Sequence, residues 1–218
     1  MYIPEHFRLR RDDDAIAFMS ANPFAILIST TEDGPFATHL PLSVQAEKHH
    51  DSPHVLLCGH VAKANPHWRY LEQQPECLTI FHGPHSYISP MNYTSKESVP
   101  TWNYAAVHVY GKARLFSSRD ELENVLHRLI EIFEPKYRLQ WEEASPTFRE
   151  KMLRNIVGFE IAATRLEGKF KLSQNRTKQD QANVIASLEK ADDSAVSGVA
   201  RIMRQQGLGN SHGEKKDE

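Results

Sequence analysis

The stretch LTIFHGPHSYISPMNYTSKESVPTWNYAAVHVYGKARLF, residues 78–116, decides the fold of this chain. Both ends are rich in β-branched and aromatic residues, and the middle is polar and contains prolines, which indicates two long paired strands joined by a loop. Within residues 103–114, aliphatic side chains alternate with Tyr104, His108 and Tyr110. A strand with apolar or aromatic groups on both faces is typical of a barrel wall that also meets a second subunit. We therefore expect the core, a dimer interface and any ligand near this segment.

The composition is that of a globular protein large enough for one sizeable core, with 218 residues. Lysine and arginine number 26 against 28 acidic residues, and this balance gives no general attraction to nucleic acid or to an anionic membrane. Cys58 and Cys77 both lie in apolar strand patterns, which indicates buried thiols in a reducing compartment. No segment resembles a signal peptide or a membrane span. We expect a cytoplasmic protein without a membrane partner.

The remaining pattern indicates a mainly β protein with appended helices, of the α+β class. Four further strand-like runs occupy residues 24–31, 36–44, 54–60 and 157–166. Two amphipathic helices are predicted near the end, at residues 177–189 and 193–206. Because strands and helices do not alternate strictly, an antiparallel barrel is favoured over a doubly wound parallel sheet. Residues 207–218 are typical of a disordered tail.

Two polar segments are candidate anion sites. In GHVAKANPHW, residues 59–68, a strand runs into a short helix whose first N–H groups and dipole favour an anion, and Lys63 and Asn65 lie at the entrance. The glycine spacing of a P-loop is absent. In KFKLSQNR, residues 169–176, basic side chains are joined by Gln174 and Asn175, whose amides are fixed donors. This second segment is either a phosphate- or partner-binding turn or a solvated one.

Two other patterns suggest chemistry, but each also has a simpler interpretation. His82 and His85 have a ligand-like spacing, but no carboxylate or cysteine accompanies them, so we expect no metal site. The two C-terminal helices have a helix-turn-helix outline, yet their turn at residues 191–193 is acidic and lacks glycine. Such a pair more often covers a barrel end or packs across a dimer.

Five motifs in order resemble one known family. MYIPEHF, GHVAKANPHW, HGPHSYISP, VPTWNY and GKFKLSQNR are similar to the PaiB-type proteins, the FMN-binding negative transcriptional regulators, over residues 1–203. That family belongs to the flavin-binding split barrels related to pyridoxamine phosphate oxidase. The resemblance implies a six-stranded antiparallel split barrel in residues 1–170, a helical appendage in residues 171–206, and a homodimer with FMN at its interface.

The same resemblance implies the residues that contact FMN. The second strand, with Thr38 and His39, would lie beside the flavin ring, and the helix entrance, with His60, Val61, Lys63 and Asn65, would hold the phosphate. The start of the long strand, with Thr101, Trp102 and Asn103, would form a wall of the isoalloxazine site. The basic segment, with Lys171, Gln174, Asn175 and Arg176, would complete the site from the partner subunit.

The resemblance also implies negative regulation of transcription, by direct contact with DNA or through a partner. The sequence favours a non-enzymatic role and assigns no catalytic residue, because no general acid or base is evidently poised with a partner, although His39 or His108 could serve. Two alternatives remain open. One is an FMN-dependent oxidoreductase, and the other is a haem-binding barrel with one of the histidines as axial ligand.

Overall fold

The computed structural model describes residues 1–48 and 53–210. Its strands are β1 Phe24–Thr31, β2 Gly34–Pro41, β3 Ser43–Lys48, β4 Pro53–Ala62, β5 Glu76–Ile88, β6 Thr101–Phe116 and β7 Ile156–Lys171. Its helices are α1 Asp12–Ala21, α2 His67–Gln73, α3 Arg119–Phe133, α4 Tyr137–Glu143, α5 Pro146–Arg154, α6 Lys178–Leu188 and α7 Ser194–Gln205. Short 3₁₀ turns lie at Glu5–Phe7 and Pro90–Asn92. The protein is therefore a mixed α+β protein, as predicted.

Within the described residues, the sheet has seven strands, in the order β2-β1-β5-β6-β7-β4-β3, so the predicted count of six is wrong. The predicted strand at residues 36–44 is in fact two strands with different neighbours. Pro41 pairs with Phe24 of β1, whereas Ser43 pairs antiparallel with Cys58 of β4. Between them, the Leu42 N–H donates to the carbonyl of Pro23 at 3.0 Å. A run of alternating side chains shows which faces are buried but not that the strand changes partner.

The chain divides into two compact units, whose boundaries fall between residues 9 and 10 and within β5, β6 and β7. Unit 1 contains residues 1–9, 82–106 and 168–210 of the described chain, and unit 2 contains residues 10–81 and 107–167. No helix in the described ranges has both the length and the apolar character to cross a membrane.

The core of unit 2 packs α3 and α5 against β4 and its neighbours. Val125 and Leu129 of α3 contact Cys58 and Leu153 in one buried cluster. Both cysteines are buried and free, and burial raises the pKa of the Cys77 thiol to about 12. The thiols are therefore part of the packing.

The core of unit 1 is built around α6 and α7. A Cβ added at Gly198 of α7 would lie 2.8 Å from the Pro84 side chain, so this helix approaches β5 closely. The Asp180 carboxylate of α6 accepts hydrogen bonds from the Thr94 N–H at 2.7 Å and the Thr94 hydroxyl at 3.0 Å. Leu208, in the predicted tail, is buried, while residues 211–218 of that tail lie outside the described residues. Both helices thus have one face occupied by their own unit.

The β6 strand has one buried face and one half-buried face. Ala105, Val107 and Val109 are completely buried. Tyr104 and His108, on the other face, are half-buried. The alternation predicted from the sequence is therefore present.

Candidate functional sites

Thr38 and Asn65, predicted to contact FMN, belong to a hydrogen-bonded network in unit 2. The Asn65 amide donates to the Thr38 hydroxyl at 3.2 Å, and the same hydroxyl lies 2.7 Å from His67 Nδ1. His67 Nε2 lies 3.0 Å from the Ser29 hydroxyl, and Asn65 Oδ1 accepts the His67 N–H at 3.0 Å. The network therefore links β1 and β2 to the start of α2.

His67 is the centre of this network and is completely buried. Burial lowers the pKa of its imidazole to about 4, because the charged form loses its hydration. The ring is therefore neutral at physiological pH, with one nitrogen donating and the other accepting. This geometry indicates a structural role for His67, which positions Thr38 and Asn65.

The structure does not bring His39, His60 and Val61 into that network. His39 is exposed on the opposite side of β2 from Thr38, and its ring stacks on Phe24 with centroids 6.3 Å apart. His60 is half-buried, and its Nδ1 has no hydrogen-bond partner among the described residues. Burial lowers the pKa of His60. Val61 is buried and pairs with Val157 of β7.

Lys63, the predicted phosphate-binding cation of unit 2, is exposed and lines a cavity of 280 Å³ that includes Trp68 and Glu72. The backbone amides at this entrance are already occupied. The Lys63 N–H donates to the carbonyl of Asn155 at 2.7 Å, and the Asn65 N–H donates to that of Ala62 at 2.8 Å. Of the groups predicted to bind phosphate, the exposed Lys63 ammonium therefore remains as a donor at this entrance, together with His60 Nδ1, which has no hydrogen-bond partner among the described residues.

Most of the predicted unit 1 residues line a second cavity, which we name the Lys171 cavity. Its volume is 180 Å³. It is lined by Phe7, Tyr93, Val99, Pro100, Thr101, Asn103, Lys171, Ser173, Asn175 and Arg176. Five of the predicted contacts thus meet at one place, where the start of β6 lies beside the end of β7.

The polar groups of the Lys171 cavity are held by hydrogen bonds within unit 1. The Lys171 ammonium donates to the Thr101 hydroxyl and, at 2.7 Å, to the carbonyl of Trp102. Asn103 is completely buried, and its amide donates to the Ser173 hydroxyl at 3.0 Å. Since an ammonium has three N–H donors, one donor of Lys171 remains available to a ligand.

Trp102 and Gln174, the other two predicted contacts of unit 1, do not line the cavity. Trp102 is 54% exposed, with its ring 6.2 Å from those of His85 and Tyr87. The Gln174 amide is used locally, with Oε1 accepting from the Leu172 N–H at 2.7 Å. Trp102 is therefore open to a planar ligand, whereas Gln174 shapes the turn.

Sequence reasoning missed the other five residues that line the Lys171 cavity, which are Phe7, Tyr93, Val99, Pro100 and Ser173. Tyr93 lies in the polar insert between β5 and β6, and the Arg176 guanidinium is 4.1 Å from the centre of its ring. Ser173 has a left-handed backbone with φ of 65°, the only such non-glycine residue in the described chain. A serine directly before Gln174-Asn175 was a signal for a tight turn, but nothing in the sequence connects Tyr93 with it.

The cations of the Lys171 cavity fit a phosphate group, but its volume does not fit a whole flavin. Ligand pockets that enclose drug-sized molecules usually measure about 300–1,000 Å³. A space of 180 Å³ with lysine, arginine and amide donors accommodates a small anionic group. The rest of an FMN molecule bound here would lie outside this cavity.

His82 and His85 lie with ring centroids 4.9 Å apart on β5. No set of three or more His, Cys, Asp or Glu side chains suited to holding a metal occurs in the part of the chain that the structure describes. The pair instead forms one end of the exposed aromatic group that includes Trp102.

Comparison with known proteins gives a family match and clear relatives. The model of the family described as "Putative FMN-binding domain" matches residues 1–165. The chain is 39% identical over 206 residues to the Bacillus subtilis "Protease synthase and sporulation protein PAI 2", covering 93% of this chain and 96% of that protein.

Solved structures resemble this chain in fold. The flavocytochrome Anf3 from Azotobacter vinelandii aligns with a TM-score of 0.57 at 17% identity, covering 78% of this chain and 72% of that one. The hypothetical protein Rv2991 from Mycobacterium tuberculosis aligns with a TM-score of 0.56 at 14% identity, covering 80% and 92%. At these identities the likeness concerns the fold.

Proposed function

We propose, from the premise that this chain belongs to the family of FMN-binding domains, that it is an FMN-binding negative regulator of transcription. The match over residues 1–165 carries the flavin part of the proposal. It confirms FMN as the predicted cofactor and, with the Bacillus subtilis relative, confirms the predicted resemblance to PaiB-type proteins. When bound, FMN would supply a redox-active ring, and the protein could respond to whether that ring is oxidised or reduced.

The regulatory part of the proposal is supported by the relative rather than by a DNA-reading element. The "Protease synthase and sporulation protein PAI 2" is similar to this chain over nearly its whole length. Negative regulation of transcription is the role that the resemblance to PaiB-type proteins implies. By analogy, we propose that this chain acts on the expression of other genes.

The geometry of α6 and α7 favours regulation through a partner over direct reading of DNA. Val199 and Met203 of α7 are completely buried in unit 1. Arg204 donates to the Glu189 carboxylate at 2.6 and 3.1 Å, so this cation is already paired. Asp192 and Asp193 are exposed in the turn, where they would repel phosphate. Of the cations on α7, Arg201 and the paired Arg204 are left to contact a DNA backbone.

The flavin part is tested on freshly purified full-length protein by its absorbance spectrum and by titration with FMN. We expect a flavin spectrum, or saturable binding of added FMN, because the family match predicts this cofactor. A Soret band without flavin would instead indicate a haem protein. Sustained oxidation of NAD(P)H by the flavin-loaded protein would indicate an oxidoreductase.

The regulatory part is tested by a gel shift on the DNA upstream of the protein's own gene, with oxidised and with reduced flavin. Direct repression predicts a shift that weakens steeply with salt, because phosphate contacts release counterions. Regulation through a partner predicts no shift by the protein alone and co-purification of a DNA-binding protein. If deletion of the gene changes no transcript, the regulatory proposal is wrong.

A further inference from the structure

We infer that the Lys171 cavity is a binding site for a single phosphate monoester group, with Tyr93 and Arg176 as its recognition residues. The cavity lies within unit 1. Lys171, Ser173 and Arg176 lie beyond residue 165, where the family match ends, so that match does not assign them.

The first argument is a group of neighbouring positive charges that is only partly compensated. Burial lowers the pKa of Lys171, and the nearby Lys169 and Arg176 lower it further. Within the described ranges, no carboxylate is ion-paired with either Lys171 or Arg176. The Asp180 carboxylate feels the charge of Arg176 without forming an ion pair with it, and its Oδ1 accepts hydrogen bonds from the Thr94 N–H and hydroxyl. A bound dianion would therefore relieve the mutual repulsion of the cations.

The second argument is an unused donor. Tyr93 is 8% exposed, and its hydroxyl has no hydrogen-bond partner among the described residues. A buried polar group without a partner is rare in native proteins and destabilising. An acceptor oxygen in the cavity would satisfy the hydroxyl while the Arg176 guanidinium remains stacked on the same ring.

The third argument is a turn that is held in a strained conformation. Ser173 keeps a left-handed backbone because its carbonyl accepts from the Arg176 N–H at 3.0 Å and from the Gln181 amide at 3.2 Å. The Gln181 amide also donates to the carbonyl of Arg176 at 3.0 Å. Strain maintained by surrounding hydrogen bonds is typical of ligand clamps. The turn therefore presents Asn175 and Arg176 before the ligand arrives.

Two sources could supply the phosphate monoester: the ribityl phosphate of FMN, or a separate phosphorylated small molecule. Only the first source rests on the proposed function. Riboflavin, which has the same ring but no phosphate, distinguishes them when it is compared with FMN. Inorganic phosphate probes the anion site directly.

The experiment measures binding of inorganic phosphate, FMN and riboflavin to the full chain by calorimetry. The variants are Arg176→Gln, which removes the charge, and Tyr93→Phe, which removes only the hydroxyl. Lys190→Gln and Tyr87→Phe are matched controls, because both residues are exposed and lie outside the cavity.

Lys63→Gln tests the competing cation of unit 2. Asn175→Asp, at an exposed turn position, places a repelling carboxylate in the cavity and replaces Arg176→Gln if that variant does not fold.

We expect phosphate to bind the unaltered protein, at least tenfold more weakly to Arg176→Gln and about threefold to tenfold more weakly to Tyr93→Phe. If FMN is the source, the preference for FMN over riboflavin falls by the same factors. If a separate metabolite is the source, phosphate binding falls while that preference is unchanged. Both results support the anion site.

Two results would overturn the inference. One is phosphate binding that is absent or equal in all variants. The other is phosphate binding that disappears in Lys63→Gln and persists in Arg176→Gln. Phosphate binding that depends on Arg176, in a protein that ignores FMN, would contradict the proposed function and leave this inference standing.

Discussion

At the residue scale, His67 shows how burial alone sets a charge state. Its ring is completely enclosed and hydrogen-bonded on both sides, by Thr38 and Ser29. Protonation would place a charge where water cannot reach it, so the pKa falls to about 4. A residue that could have been assigned to proton transfer is instead part of the framework.

We predict that His67 makes the protein less stable as the pH falls from about 6.5 toward 4. In that range the unfolded chain binds a proton that the folded chain excludes, so the free energy of unfolding decreases as the pH decreases. The contribution is up to about 1.4 kcal/mol per pH unit. Urea unfolding at pH 7.5 and pH 5.0 measures it.

The control for this prediction is His67→Gln, which has no group that titrates in this range. We expect it to reduce the stability difference between the two pH values by about 1–2 kcal/mol. Other histidines whose pKa is lowered, His60, His82 and His108, keep their contribution in both proteins. An equal pH dependence in the two proteins would contradict the role of His67.

A second prediction at this scale concerns Cys58 and Cys77. Both thiols are buried, and burial raises the pKa of each, so that little thiolate exists at neutral pH. We expect no reaction with a thiol reagent such as DTNB over minutes in native buffer and two equivalents after unfolding. Fast labelling of one cysteine in the native protein would show that its site opens.

At the scale of elements, glycine decides how closely β6 and β7 approach. A Cβ at Gly111 would lie 2.5 Å from the Ile161 side chain and 2.6 Å from the carbonyl oxygen of Ala162. A backbone oxygen cannot move without disturbing the strand. The absence of a side chain at Gly111 is therefore a condition of this approach.

We predict that Gly111→Ala destabilises the protein by about 1–3 kcal/mol, because the added methyl group overpacks the contact with β7. Chemical unfolding measures this loss. The neighbouring Lys112→Ala is the control. Lys112 is exposed and its ion pair with Glu76 is exposed on both sides, so we expect a change within about 0.5 kcal/mol. Similar losses in the two variants would contradict the packing argument.

At the scale of the whole molecule, the cofactor and the oligomeric state are linked to stability. The family match supplies FMN, and the half-buried face of β6 is compatible with the predicted dimer. A ligand that binds only the folded protein stabilises it by mass action. Thermal unfolding therefore reports binding without any assumption about the site.

We predict that FMN at 100 times its Kd raises the free energy of unfolding by about 2.7 kcal/mol. For a chain of this length that corresponds to a rise in Tm of about 5–10 °C. Differential scanning fluorimetry read through tryptophan emission measures it, with adenosine monophosphate as a phosphorylated control that lacks the flavin ring. An unchanged Tm at saturating FMN would mean that the folded protein does not bind it.

We also predict that the protein is a homodimer. Light scattering coupled to size exclusion should give twice the mass of the 218-residue chain, with and without FMN. The exposed Trp102 provides an internal reporter. If the dimer interface covers its ring, dilution that separates the two subunits would expose the ring and shift the tryptophan emission. A monomer mass at micromolar concentration would contradict the dimer.

The sequence by itself determined the class of fold, the long strand pair at residues 78–116 and, through its ordered motifs, the flavin family. These features depend on local periodicity and on short motifs, which a sequence displays directly. Only the tertiary structure decided that the strand predicted at residues 36–44 changes partner at Leu42, that Thr38 is held by His67, and that Tyr93 meets Arg176. The physical reason is that periodicity states which face of an element is buried, whereas contacts between distant side chains depend on how all the elements pack together.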